Sequence, residues 1–329
     1  MSNLKVAVIG VGNMGKHHAR NYTQIKNVTL VSVCDIQESV ANELATQYNC
    51  KAYTCLNKMI ENENLDAVSI TAPTRYHYEI AKVVIKNNIN LLIEKPISDN
   101  IEKSNELIKL AKKNNLTLMI GHIERFNPAV TKLKEIIDEG KLGKITSLIS
   151  KRVGAFPAQI KDANVIIDLA VHDIDIFSYL LNKNPNQIYG NAGRALNSNR
   201  EDYAEIFLTY GDQNAFIQVN WITPIRIRNL AITGTKGYAE LNYMTQELTV
   251  YESNYSSDFD TFGDYIIKFG NPTKKNISLE KKEPLANELN HFINCIQTKS
   301  TPLITGENGK KALEIALKVM EKMQISIKK

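Results

Sequence analysis

The chain has 329 residues, enough for about two domains, and 43% of them are hydrophobic, an ordinary share for a globular protein. Forty basic against thirty-five acidic residues leave a formal charge of +5, with no like-charged block long enough to act as a nucleic-acid-binding arm. No apolar run approaches eighteen residues and the first strand begins just after Met1, so neither a membrane span nor a signal peptide is expected, and the expected location is cytoplasmic. The four cysteines, Cys34, Cys50, Cys55 and Cys295, lack the paired spacing of a metal site, and no metal is expected.

Strand and helix signals alternate through the first 120 residues. Leu4 to Ile9 reads as a strand, Gly15 to Gln24 as a helix, Leu30 to Cys34 as a strand, and Glu38 to Tyr48 and Leu56 to Asn62 as helices. A buried strand Ala67 to Thr71, a helix Tyr76 to Asn87, a strand Leu91 to Glu94, a helix Ile101 to Asn114 and a strand Thr117 to Gly121 follow. That rhythm is βαβ and predicts an α/β domain built on a six-stranded doubly wound sheet. After Gly121 the pattern changes: Asn127 and Pro128 open a helix to Glu139, Gly140 to Lys144 turns into a long β-rich stretch, and helical signal returns from Val165 to Leu181. Strands are expected at Gln187 to Leu196, Ala204 to Tyr210, Ala215 to Trp221, Arg226 to Thr233, Tyr238 to Asn242 and Glu247 to Tyr251, alternating as in an antiparallel sheet with one covered face. Ser253 to Lys275 reads as a long irregular loop, and helices at Leu285 to Gln297 and Gly306 to Met323 end the chain. The expected division is a dinucleotide-binding domain over residues 1–121 and an α+β substrate domain over 122–329.

The first strand leads into Gly10-Val11-Gly12-Asn13-Met14-Gly15 and then a helix, the context in which a GxGxxG run binds a dinucleotide. The first glycine makes the tight turn, the second lets backbone approach the pyrophosphate, the third lets helix and strand pack, and the helix N-terminus favours the anion. The second strand ends in Asp35, twenty residues beyond Gly15, where a carboxylate accepts hydrogen bonds from a ribose 2′-hydroxyl and repels a 2′-phosphate, so NAD is expected rather than NADP. Glu94-Lys95-Pro96 closes the apolar run Leu91-Leu92-Ile93, which delivers an ammonium to the carboxyl end of a strand, where ligands collect in an open α/β sheet. Pro73-Thr74 with His77 follows the strand ending at Thr71, in a place suited to the nicotinamide half of the cofactor, although a helix cap would also explain Thr74.

Oxidising an alcohol needs a general base and a group that stabilises developing alkoxide. The candidate base is His172, in Asp168-Leu169-Ala170-Val171-His172-Asp173-Ile174-Asp175. On a helix, Ala170, Ile174, Phe177 and Leu181 form an apolar stripe and Asp168, His172, Asp175 and Tyr179 lie nearly opposite. That polar stripe either faces water or lines a cleft between domains, with Asp168 one turn from His172 and able to fix its tautomer. Arg125, in Gly121 to Pro128, either grips a phosphate or forms an interdomain ion pair, and Arg152, Arg226 and Arg228 are further phosphate candidates.

These motifs resemble the Gfo/Idh/MocA oxidoreductase family, on Gly10 to Gly15 with Asp35, Thr71-Ala72-Pro73 followed by His77, Glu94-Lys95-Pro96, and Asp168 with His172 four residues later. The resemblance covers nearly the whole chain and implies a Rossmann domain followed by an α+β domain with a large, mostly antiparallel open sheet that mediates homodimer or homotetramer formation. It implies that Lys95 and His172 flank the reacting hydroxyl, that Asp168 supports His172, and that the peptide before Pro96 has unusual geometry. Gly10, Gly12, Asn13, Met14, Gly15, Asp35, Thr71, Pro73, Thr74, His77, Glu94 and Lys95 are then the expected cofactor contacts, and Lys95, Arg125, Asn127, Arg152, Asp168 and His172 the expected substrate contacts. Within the family, Gly121 to Pro128, Arg152 to Pro157 and Asp168 to Asp175 are similar to UDP-N-acetylglucosamine 3-dehydrogenases, which oxidise the 3-hydroxyl of a UDP-sugar to a ketone that an aminotransferase then consumes. Ala72 replaces a frequent threonine and the Asn87-Asn88-Ile89-Asn90 turn lacks the usual glycine; neither change removes a group the chemistry needs. Two other readings stay open: a dehydrogenase of a free polyol such as myo-inositol, and an NAD-binding regulator without turnover.

Overall fold

The computed structural model describes residues 3–156, 163–196 and 199–325; Pro157 of the segment singled out above lies outside them. The chain divides into two compact units, residues 1–123 with 283–314, and residues 124–282 with 315–329. This differs from a single division at Gly121 because the chain returns to the first unit near its end.

The first unit runs β1 (Leu4–Ile9), α1 (Asn13–Tyr22), β2 (Val28–Cys34), α2 (Glu38–Tyr48), β3 (Lys51–Tyr53), α3 (Leu56–Asn62), β4 (Ala67–Ile70), α4 (Thr74–Lys86), β5 (Asn90–Glu94), α5 (Ile101–Lys113) and β6 (Leu118–Gly121). The strands pair parallel in the order β3-β2-β1-β4-β5-β6, a doubly wound Rossmann sheet whose order reverses between β1 and β4. Val6 to Val8 and Leu91 to Ile93 are fully buried, as continuous apolar strands covered on both faces must be. The sixth strand, β3, has three half-exposed or exposed residues, too short for alternation to reveal it.

The second unit begins with a 3-10 turn (Ile123–Phe126) and α6 (Pro128–Asp138), capped by Asn127, whose side chain accepts from the Ala129 N–H at 3.1 Å. There follow β7 (Ile145–Ala155), a π-helical turn (Ile166–Ala170) running into α7 (Val171–Leu181), and β8 (Gln187–Gly193), β9 (Tyr203–Tyr210), β10 (Gln213–Asn220), β11 (Ile222–Gly234), β12 (Gly237–Asn242), β13 (Glu247–Glu252), β14 (Tyr255–Phe259), β15 (Tyr265–Phe269) and β16 (Thr273–Ile277). Eight of these form one sheet in the order β16-β13-β12-β11-β7-β10-β9-β8, antiparallel except where β10 meets β7. Along β9, Ala204, Ile206, Leu208 and Tyr210 are buried and alternate with less buried residues, and α6 and the π turn pack on the sheet. The expected loop from Ser253 to Lys275 is instead largely strand: β14 and β15 form a separate hairpin closed at Asp260 to Asp264, and β16 extends the large sheet. Its aspartates and glycine serve the turn, where the Asp260 carboxylate accepts from the N–H groups of Phe262 and Asp264.

Two helices follow, α8 (Pro284–Thr298), packed against α1, and α9 (Gly306–Lys322), which passes from the first unit to the second after Glu314. Between them the Ile304 carbonyl accepts from Ile120 N–H, adding a bridge to β6. Among the described residues no helix is long and apolar enough to cross a membrane.

Candidate active site

The glycine loop is set by two contacts that admit no side chain. Gly10 has φ +86°, and a Cβ there would lie 2.5 Å from Ala72 N; at Gly15 it would lie 2.1 Å from Gly10 O. Gly12 differs: a Cβ there would meet nothing within 4 Å, so no protein contact demands its glycine. The open position lies at the start of α1, where the first N–H groups of a helix and a bare backbone together fit a pyrophosphate. Thr71 Oγ1 donates to Gly10 O at 2.5 Å and ties the end of β4 to this loop. Asp35 accepts from Val11 N–H through Oδ2 and from Gln37 N–H through Oδ1, both at 2.9 Å, so it braces the loop as a turn aspartate while leaving lone pairs on each oxygen for a ribose hydroxyl. Asn13 and Met14 are exposed on the first turn of α1. When bound, NAD supplies the hydride acceptor; the residues present fit it.

At the end of β5 the Lys95–Pro96 peptide is cis, in keeping with the geometry expected before this proline. Two of the expected cofactor contacts, His77 and Glu94, are bonded within the protein. His77 is 1% exposed, its Nε2 at 2.7 Å from Ala72 O and its Nδ1 at 2.9 Å from Pro96 O, so it staples the loops after β4 and β5 rather than facing a ligand. Glu94 is turned inward, with Oε1 at 3.0 Å from His18 Nε2 and Oε2 accepting from Lys95 N–H at 3.2 Å. Thr74 begins α4 but its hydroxyl does not cap it; Pro73 is the cap residue. Lys95 is half-buried beside this cluster.

In the second unit the expected substrate contacts separate. Arg125 is bidentate to Asp175, at 2.8 and 2.6 Å, stacked over Tyr179 and 6% exposed, an ion pair inside the unit rather than a phosphate grip. Arg152 is bound by Asp173 and Glu124 and lies over Tyr243, 4% exposed. Burial alone would pull the Arg152 pKa down; the two carboxylates overcome it and push it up. Asn127 is buried, capping α6 and donating to Tyr243 O at 3.0 Å. Each of these three has protein partners inside the unit. Of the polar stripe drawn from the sequence, Asp175 is buried on Arg125 while Asp168, His172 and Tyr179 are half-buried; Asp173, beside the stripe, is buried on Arg152.

Asp168 and His172 remain. Asp168 sits in the π turn, half-buried, and accepts from Trp221 Nε1 at 3.3 Å; His172, half-buried, is the second residue of α7. A π turn inside a helix shifts side chains out of α-helical register, a feature concentrated at functional sites. Trp221, the one tryptophan of the chain, belongs to no sequence motif. Among the described residues the Arg228 guanidinium donates only to the backbone carbonyls of Val153 and Ile227, and its pKa is pushed down to about 10 by burial and then by the charges of Arg152 and Arg226. It borders Gly154 together with Arg226.

Comparison with known proteins identifies the family of both halves of the chain. Residues 4–122 match the model of the oxidoreductase family with an NAD-binding Rossmann fold, and residues 130–240 match the C-terminal domain of the same family. The chain belongs to the Gfo/Idh/MocA oxidoreductase family. Among members, UDP-N-acetylglucosamine 3-dehydrogenase of Acidithiobacillus ferrooxidans is 28% identical over 97% of both chains, and its solved structure superposes with a TM-score of 0.86 over 98% of this chain and 99% of that one. The NAD-dependent scyllo-inositol 2-dehydrogenase of Bacillus subtilis is 27% identical over 95% of this chain and 92% of its own. This Gfo/Idh/MocA protein is therefore an NAD-binding oxidoreductase, from a family whose relatives here act on sugar-like alcohols.

Proposed function

We propose that this protein oxidises the 3-hydroxyl of a UDP-N-acetyl-hexosamine, UDP-N-acetylglucosamine, to the 3-keto sugar nucleotide, a ketone suited to subsequent transamination. The observation that carries the choice of a nucleotide sugar is Arg228 with Arg226 on β11, a cationic pair without a carboxylate in hydrogen-bond contact among the described residues. A diphosphate would satisfy such a pair; a neutral polyol would not. In this reading His172 or Lys95 takes the hydroxyl proton, the other stabilises developing alkoxide, and Asp168 orients His172. The likeness to an inositol dehydrogenase favours the free polyol as the second reading. A regulator without turnover has no need of the Lys95, Asp168 and His172 set. We also propose a homodimer or homotetramer, supported by the outer face of the large sheet.

The test mixes protein, NAD⁺ and UDP-N-acetylglucosamine with a ketone trap and follows NADH absorbance. Trap-dependent NADH formation, absent with UDP-glucose and myo-inositol, is expected; reduction with myo-inositol alone would replace the substrate. Lys95→Ala and His172→Ala are each expected to lower turnover by roughly a hundredfold or more, and full turnover in both would end the assigned roles.

A further inference from the structure

Beneath the strand end that carries Lys95 lies a second cluster of ionisable groups. Glu288 on α8 is 0% exposed, and neither of its carboxylate oxygens has a hydrogen-bond partner. One ligand atom each of His18 from α1, Glu94 from β5 and Glu288 lie within 4.8 Å of one another. His18 is also fully buried, with Nδ1 unpartnered and Nε2 on Glu94. Glu94 is confined: a Cβ at Gly121 would lie 3.0 Å from its carboxylate.

Two carboxylates at this spacing in the interior cannot both stay charged without a large cost, so the cluster must hold a proton or a cation. A divalent cation fits poorly. Ligand atoms 2.0–2.2 Å from a tetrahedral metal stand roughly 3.4 Å apart, closer than the 4.8 Å limit within which these atoms lie, and a ligand Nε2 would cost His18 its bond to Glu94. A spacing up to 4.8 Å is instead the reach of one bridging water between polar atoms. The proton belongs on Glu288, since Glu94 already accepts from His18 and from Lys95 N–H. The charge balance agrees: burial and then the Glu94 charge raise the Glu288 pKa, whereas burial raises Glu94 but His18, Lys95 and the backbone bond together pull it down. The titratable groups facing Glu288 are His18 and Tyr22 from α1 and Glu94 from β5, with Lys95 acting on Glu94.

We propose that His18, Glu94 and Glu288 form a buried proton-sharing triad in which Glu288 carries the proton and, through a bridging water to Glu94, fixes the backbone that presents Lys95. Glu288 is then a positioning residue. Its link to turnover rests on the role proposed for Lys95; its protonation does not.

The experiment compares wild type, Glu288→Gln and Glu288→Ala in melting temperature from pH 4.5 to 8, with and without a chelator and with added Mn²⁺ or Zn²⁺. An acid whose folded pKa is raised stays protonated in the folded chain while the unfolded chain ionises, so wild type loses stability as pH rises above the unfolded value of about 4.3. Glutamine has no proton to hold, so Glu288→Gln should gain on wild type steadily from pH 4.5 to 8, by several degrees at the upper end. Parallel melting curves for wild type and Glu288→Gln would overturn the proposal. So would a fall in wild-type melting temperature on chelation, or a rise with metal that Glu288→Gln abolishes, either of which assigns a cation site. Infrared spectra give a readout free of folding effects: wild type at pH 8 should show the C=O stretch of a neutral carboxylic acid that Glu288→Gln lacks, and its absence from wild type overturns the proposal. In turnover of UDP-N-acetylglucosamine, Glu288→Ala should lose about tenfold to a hundredfold and Glu288→Gln should restore most of it; equal loss in both refutes positioning by a neutral hydrogen-bonding group. The melting and infrared results stand whether or not that substrate is turned over.

Discussion

Three carboxylate oxygens surround Arg152, two from Asp173 and one from Glu124, and the guanidinium is almost wholly shielded from water. Removing the cation leaves the buried Asp173 carboxylate and the partly buried Glu124 without it, a change that costs about 3–5 kcal/mol. Arg152→Met is therefore expected to lower the urea midpoint sharply while leaving KM for the nucleotide sugar nearly unchanged in the folded fraction. Arg228→Met should behave in the opposite way. Its guanidinium is half-buried and, among the described residues, bonded to two carbonyls only, so stability should hardly move. Losing charge-assisted bonds to a diphosphate should raise KM by about tenfold to a hundredfold, with no such rise for a neutral polyol. A KM effect confined to Arg152→Met would reverse the assignment. The contrast also explains the limit of the sequence at this scale: an arginine codes for a cation, but whether it meets Asp173 or a ligand depends on residues twenty or more positions away.

The loop between β1 and α1 separates folding from binding within six residues. At Gly15 an added methyl group would collide with the Gly10 carbonyl, which is backbone and cannot step aside; at Gly12 it would enter open space. Gly15→Ala is expected to lower the melting temperature and reduce the yield of folded protein. Gly12→Ala should melt like wild type yet bind NAD at least about tenfold more weakly, because a Cβ keeps the pyrophosphate from the backbone; isothermal titration of NAD against both variants checks this, and unaltered affinity in Gly12→Ala would remove Gly12 from the cofactor site. Elements of this kind were legible because one local run carries the whole constraint, as do the buried apolar strands β1 and β5 and the helices α2 and α3, whose ends agree with the pattern residue by residue. The hairpin of β14 and β15 was not legible. Its alternation is interrupted by aspartates needed at the turn, and its aromatic residues, such as Phe262 at 91% and Phe269 at 76% exposure, mark no buried face. His77 and Glu94 stand out in the sequence, but their bonds to Pro96 O and His18 do not, since these join segments that periodicity treats separately.

The large sheet of the second unit has two unlike faces. One carries α6 and the π turn; on the other, Tyr189, Phe207, Phe216 and Ile149 stand directly opposite one another on β8, β9, β10 and β7, making one apolar row across four strands. All four are exposed, from 37% at the two phenylalanines to 55% at Tyr189. A contiguous apolar row of this kind on a broad sheet marks an interaction surface more often than a wetted one. A second copy is the occupant proposed above: a two-fold axis placed on the row brings each side chain against the same patch of the other copy, an isologous contact in which one substitution acts twice. Wild type should sediment as a dimer or tetramer at micromolar concentration. Phe216→Glu, near the centre of the row, should shift the distribution to single chains by setting two carboxylates into the joint, while Glu240→Gln, farther along the same register on β12, should leave it unchanged. A wild-type monomer at all concentrations would remove the assembly, and an oligomer indifferent to Phe216→Glu would move its interface to another surface of the molecule.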